Sequence, residues 1–136
     1  MERALRFEEI YPYPPAKVWR VLTTREHLAA WLMPNDFEPR VGHKFRFTSK
    51  PMGGWDGIVN CEVLELIPER RLSITWTSNM IDTKVTFLLE PFDGGTELTL
   101  IHEHLPDEAA RKSHEEGWRG LLDKLPIFLG DAEWSI

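Results

Sequence analysis

From Thr96 to His104 the chain alternates: Leu98, Leu100, His102 and His104 fall on one face of a strand, and Glu97, Thr99, Ile101 and Glu103 on the other. The first face begins apolar and ends in two imidazoles. A sheet face that packs against a helix is apolar throughout, so the histidines predict that this end opens onto a cavity. After Pro106 the period becomes helical: from about Asp107, Ala110, His114, Trp118, Leu121, Leu122, Leu125 and Leu129 share one stripe. Pro126 lies within that stripe and predicts a kink or an early end.

Upstream, Leu5 to Tyr11 reads as a first strand of ambiguous register, with Leu5 and Phe7 in one phase and Ile10 in the other. Pro12, Pro14 and Pro15 stop it, and Pro15 suits the first position of a helix to Thr23 that carries Val18, Trp19 and Leu22. A second short helix, Glu26 to Met33, offers Leu28, Trp31 and Leu32 before Pro34. Phe45 and Phe47 mark a second strand, and Gly57 to Ile67 a third whose phase changes near Val63, as a bulge would cause. Leu72, Ile74 and Trp76 mark the fourth strand, and Val85, Phe87 and Leu89 the fifth. Asp93-Gly94-Gly95 turns the fifth into the sixth. The order predicts an α+β domain spanning residues 1–136, with a curved six-stranded antiparallel sheet wrapped on the long last helix. A curved sheet and one helix leave an elongated cavity between them.

Composition narrows the function classes. With 136 residues, 42% of them hydrophobic, six Trp and seven Phe, the chain has material for a core and is not a disordered segment. Sixteen basic against 22 acidic residues give a net charge of −6 without a basic cluster, which argues against nucleic acid or an anionic membrane as partner. No apolar run is long enough for membrane insertion, the start lacks a signal-peptide core, and the lone Cys61 suits a reducing compartment, so a cytoplasmic location is expected.

The run Pro14-Pro15-Ala16-Lys17-Val18-Trp19-Arg20-Val21-Leu22-Thr23, followed by His27-Leu28-Ala29-Ala30-Trp31, resembles the opening of the SRPBCC, or START-like, superfamily. Gly57-Ile58-Val59 with Pro68, Arg71-Leu72 and Trp76, then Gly94-Gly95-Thr96 with Leu98-Thr99-Leu100, then Gly117-Trp118, resemble in order and spacing the subfamily named after the activator of the heat-shock protein 90 ATPase. Thr24-Arg25 departs from the Asp-Pro common there. The resemblance implies the helix-grip (START-like, Bet v-like) fold and a cavity for a hydrophobic ligand, in a superfamily that includes lipid carriers, hormone receptors and polyketide cyclases. It carries no universal catalytic residues. Because the chain opens directly on the helix-grip pattern, co-chaperone activity is not expected to carry over.

The expected ligand-binding set is Trp31, Phe47, Trp76, Phe87, Leu100, His102, His104, His114 and Trp118, with the aromatics able to stack on a ligand or to serve as core. The three histidines suit either acid–base work or a polar lining. Adding Cys61 makes a zinc-like set, yet no closely paired ligand spacing occurs, so neither a metal nor another cofactor is expected. Gly117 calls for an offset to its helical cost, with close packing the preferred one. Met52-Gly53-Gly54-Trp55 suits either a lid or an ordinary hairpin tip. The reading adopted is binding of an apolar or aromatic small molecule. A cyclase- or hydrolase-like enzyme using His102 or His104, and a chaperone-associated interaction module, are the alternatives, and a homodimer is left open.

Overall fold

The computed structural model describes residues 4–131. The elements are β1 (Ala4–Tyr11), α1 (Pro15–Thr23), α2 (Arg25–Trp31), β2 (Lys44–Thr48), β3 (Ile58–Ile67), β4 (Arg71–Thr77), β5 (Asp82–Phe92), β6 (Gly95–Glu103) and α3 (Glu108–Asp131). All strands join one curved antiparallel sheet in the order β1-β6-β5-β4-β3-β2, the helix-grip plan of the α+β class. The inner face is built in rows: Leu5, His102, Val85 and Ile74 lie side by side across β1, β6, β5 and β4, with Phe7, Leu100, Phe87 and Leu72 in a neighbouring row. Every member of both rows is buried. Against this face lie α3, through Trp118, Leu122, Leu125 and Leu129, and α1, through Val18, Val21 and Leu22.

Several local features follow from particular residues. Pro15 opens α1 at little cost because its absent N–H would lie in the unpaired first turn, and the Pro14 carbonyl accepts the Lys17 and Val18 amides at 3.0 and 3.2 Å. Leu5, Phe7 and Tyr11 of β1 point inward and Ile10 stands exposed, which resolves the ambiguous phase. In β3 the register shifts between Val63 and Glu65, so a bulge carries the inward row of Val59, Cys61 and Val63 into a new phase.

Three expectations need correction. His104 does not continue the inward row of Leu98, Leu100 and His102: β6 ends at Glu103, and His104 is exposed with a left-handed φ of 71°. Alternation holds only in extended backbone, and here the chain turns so that Leu105 is the buried residue instead. Gly117 is exposed, and a Cβ added there would meet nothing within 4 Å, so close packing does not account for it. Nothing in the structure explains this glycine. Of the kink or early end expected at Pro126, the early end does not occur, because α3 runs on to Asp131.

The tolerance of Pro126 has a visible cause. A helical residue at this position would donate its amide to the carbonyl four residues back, that of Leu122, and proline has no amide to give. The Tyr11 hydroxyl, reaching from β1, donates to that carbonyl at 3.1 Å in a buried environment. Burial, with Glu9 and Asp123 nearby, pushes the Tyr11 pKa up, so the donor hydrogen is retained. Tyr11→Phe therefore leaves a buried carbonyl unsatisfied and is expected to cost about 1–3 kcal/mol. In a Pro126→Ala background, where the helix supplies its own donor, most of that cost disappears. Urea unfolding of the four proteins checks this, and equal Tyr11→Phe costs in the two backgrounds contradict it.

Candidate functional site

Aromatic rings run through the interior toward α3. Phe47 on β2 meets Trp76 on β4 with ring centroids 5.5 Å apart, Trp76 meets Trp118 of α3 at 5.3 Å, and Phe87 on β5 meets Trp118 at 6.2 Å. His102 lies among them, fully buried, where an unpaired ring nitrogen would be costly. Neither nitrogen is unpaired. The Trp118 Nε1–H can only donate, and His102 Nδ1 receives it at 3.0 Å. Thr83 gives its one hydroxyl hydrogen to the Trp76 carbonyl at 2.7 Å, so its oxygen accepts from His102 Nε2, also at 2.7 Å. These roles fix the tautomer as Nε2–H. Burial first, and the neighbouring His114 second, lower the His102 pKa from 6.5 to about 3.

A cavity of about 610 Å³ opens beyond this cluster, at the N-terminal end of α3. Met52, Gly53 and Trp55 wall it from the β2–β3 loop, Ser78, Met80 and Ile81 from the β4–β5 turn, and Met33 from the end of α2. Val59 and Trp76 contribute from the sheet, and Pro106, Asp107, Ala109, Ala110, Ser113 and His114 form the helix side. Three of the chain's four methionines are thus gathered here. Asn79 ties the two loop walls together: its Nδ2 donates to the Gly54 carbonyl at 2.9 Å, and its Oδ1 accepts the Asp56 amide at 3.3 Å. Within α3, His114 Nδ1 lies 2.8 Å from the Ala110 carbonyl, and its ring stands edge-on to His102 with centroids 5.0 Å apart.

A family model described as Activator of Hsp90 ATPase homolog 1-like protein matches residues 12–130. The chain belongs to this family. It is similar to the crystal structure of protein MLL2253 from Mesorhizobium loti, with 34% identity, a TM-score of 0.88, and 96% of this chain and 99% of that one covered. Protein BH1534 from Bacillus halodurans, in solution, shows 28% identity and a TM-score of 0.78, over 95% and 99% of the two chains. The Aha1 dimer from Colwellia psychrerythraea shares the fold at 21% identity and a TM-score of 0.79, over 96% and 98%. No curated protein matches the sequence significantly.

Within this member of the family, the nine residues singled out from sequence fall into distinct places. Trp76 and His114 line the cavity. Phe47, Phe87, His102 and Trp118 pack in the ring cluster behind it, and Leu100 is core beneath them. Trp31 is buried elsewhere, its indole donating to the Val21 carbonyl of α1 at 3.0 Å, and His104 stands exposed on the chain leaving β6. Met33, Ser78, Met80, Asp107 and Ser113 went unforeseen as cavity residues, since most sit in loops without a period; the Met52–Trp55 loop was the signal pointing there. Burial keeps the Cys61 thiol protonated, and among the described residues no three His, Cys, Asp or Glu side chains gather to hold a metal. None of the described helices is long and apolar enough to cross a membrane.

The buried imidazole sets a pH dependence with a definite sign. Below pH 6.5 the unfolded chain protonates His102, while the folded chain holds it neutral down to about pH 3. Its stabilising contribution is therefore full above pH 6.5 and is lost as pH falls from there toward 3, at about 1.4 kcal/mol per pH unit. Urea unfolding of wild type and His102→Gln is expected to show a loss between pH 6.5 and 4.5 that is about 2–3 kcal/mol smaller in the variant. Equal losses contradict this account of His102.

Proposed function

We propose that this protein binds an apolar or aromatic small molecule in the cavity at the N-terminal end of α3, between the helix and the sheet. The observation that carries the reading is the cavity itself: about 610 Å³, within the range of small-molecule sites, walled mainly by methionine, tryptophan and aliphatic side chains. Thioether side chains adapt to irregular apolar shapes and pack favourably on aromatic rings. The superfamily resemblance points the same way, toward a hydrophobic-ligand cavity. Two facts favour binding over acid–base chemistry at His102 or His104: His102 gives both ring nitrogens to Trp118 and Thr83, and His104 does not line the cavity.

Titration with the lipophilic fluorophore N-phenyl-1-naphthylamine tests this. One probe is expected to bind per chain with enhanced emission and to raise the melting temperature, since a ligand at 100 times its Kd stabilises the native state by about 2.7 kcal/mol. Ser113→Trp, at an exposed helical position on the cavity wall, is expected to abolish both effects while leaving the fold intact. Absence of binding to the wild type, or unchanged binding to the variant, overturns the reading.

A further inference from the structure

The cavity's polar groups have defined states. A carbonyl oxygen only accepts, so the 2.8 Å contact with Ala110 puts the His114 hydrogen on Nδ1. In the neutral ring Nε2 is then a bare acceptor, and no protein hydrogen bond engages it among the described residues. His102 does not compete for it, since both of its ring nitrogens are committed. Ser78 Oγ accepts the Met80 and Ile81 amides at 3.1 and 3.3 Å.

The charge on the walls is one-sided. Among the described residues neither Lys nor Arg lines the cavity, and Asp107 supplies a carboxylate there. That carboxylate also occupies the feature most able to hold an anion, the start of α3: Asp107 Oδ1 accepts the Ala110 amide at 2.8 Å. A carboxylated ligand would leave water to meet Asp107 and the His114 lone pair with no cation to offset the loss. A hydroxyl or amine hydrogen would meet a waiting acceptor.

We propose that the cavity selects neutral aromatic ligands bearing a hydrogen-bond donor, such as a phenolic hydroxyl, and that His114 Nε2 receives that hydrogen. Trp55, Trp76 and the three methionines hold the ring system, and His114 orients it. Anionic amphiphiles such as fatty acids are disfavoured. The inference rests on the binding reading above and adds the ligand's polarity to it.

Isothermal titration calorimetry at pH 7.5 with 2-naphthol, 2-methoxynaphthalene and 2-naphthoate tests it, because the three share one ring system and differ in donor and charge. The expected order is naphthol about tenfold tighter than the ether, as one neutral hydrogen bond provides, and naphthoate weakest. In His114→Phe the naphthol preference is expected to vanish while ether binding persists, which also shows that the variant's cavity is intact. Ether binding equal to naphthol, naphthoate binding tightest, or a naphthol preference that survives His114→Phe overturns the inference while leaving the binding reading in place. Failure of all three probes together with N-phenyl-1-naphthylamine overturns both. The wild-type comparison decides even if the variant does not fold.

Discussion

One run of buried hydrogen bonds, from the Trp118 indole to His102, on to the Thr83 hydroxyl and then to the Trp76 carbonyl, joins α3 to β6, β5 and β4. Each group has a single role that its neighbours leave open, so the set is fully satisfied in one arrangement. Buried polar groups specify structure most strongly in that condition, because any slip of α3 along the sheet would strand an imidazole nitrogen and an indole N–H. Burial, with His114 beside it, keeps His102 neutral, and the bonds pin the Trp118 ring against Trp76 and Phe87. The middle of the space between helix and sheet is therefore filled by protein. What remains open lies at the N-terminal end of α3, beyond His114.

The other half of α3 is held by a different device, the Tyr11 hydroxyl on the carbonyl that Pro126 leaves without its helical donor. Two polar contacts, one to each half, thus set the helix on a sheet whose inner rows are apolar except for His102. Between the start of α3 and the Asn79 tie that joins the β2–β3 loop to the β4–β5 turn stands a cavity walled largely by methionine, tryptophan and aliphatic side chains.

Much of the fold could be read from the chain because long stretches obey one period. Leu98, Leu100 and His102 alternate through β6, and the Trp118, Leu122, Leu125 and Leu129 stripe of α3 repeats with helical spacing, so both inward faces were legible. The phase shift near Val63 was legible as a bulge for the same reason. His104 was misplaced because one left-handed residue cancels the period, and nothing in Glu103-His104-Leu105 announces it. The fate of Pro126 depended on a tyrosine lying 111 residues from the Leu122 carbonyl it caps, which no local rule detects. Most of the cavity walls come from Met33, Met52, Met80 and the start of α3, brought together by turns rather than by any repeat. His102 and His114 stood out as residue types, but their opposite roles, one with both nitrogens spent and one with a nitrogen spare, depend on partners that only the folded chain supplies.

His102 is a neutral, doubly bonded pin between helix and sheet. Long-range ¹H–¹⁵N correlation of the histidine side chains between pH 7 and 4 tests it most directly. The expected result is an Nε2–H tautomer for His102 that persists without titrating down to pH 4, with a Trp118 indole hydrogen strongly protected from exchange. An Nδ1–H tautomer, or a His102 ring that protonates near pH 6.5, would contradict it.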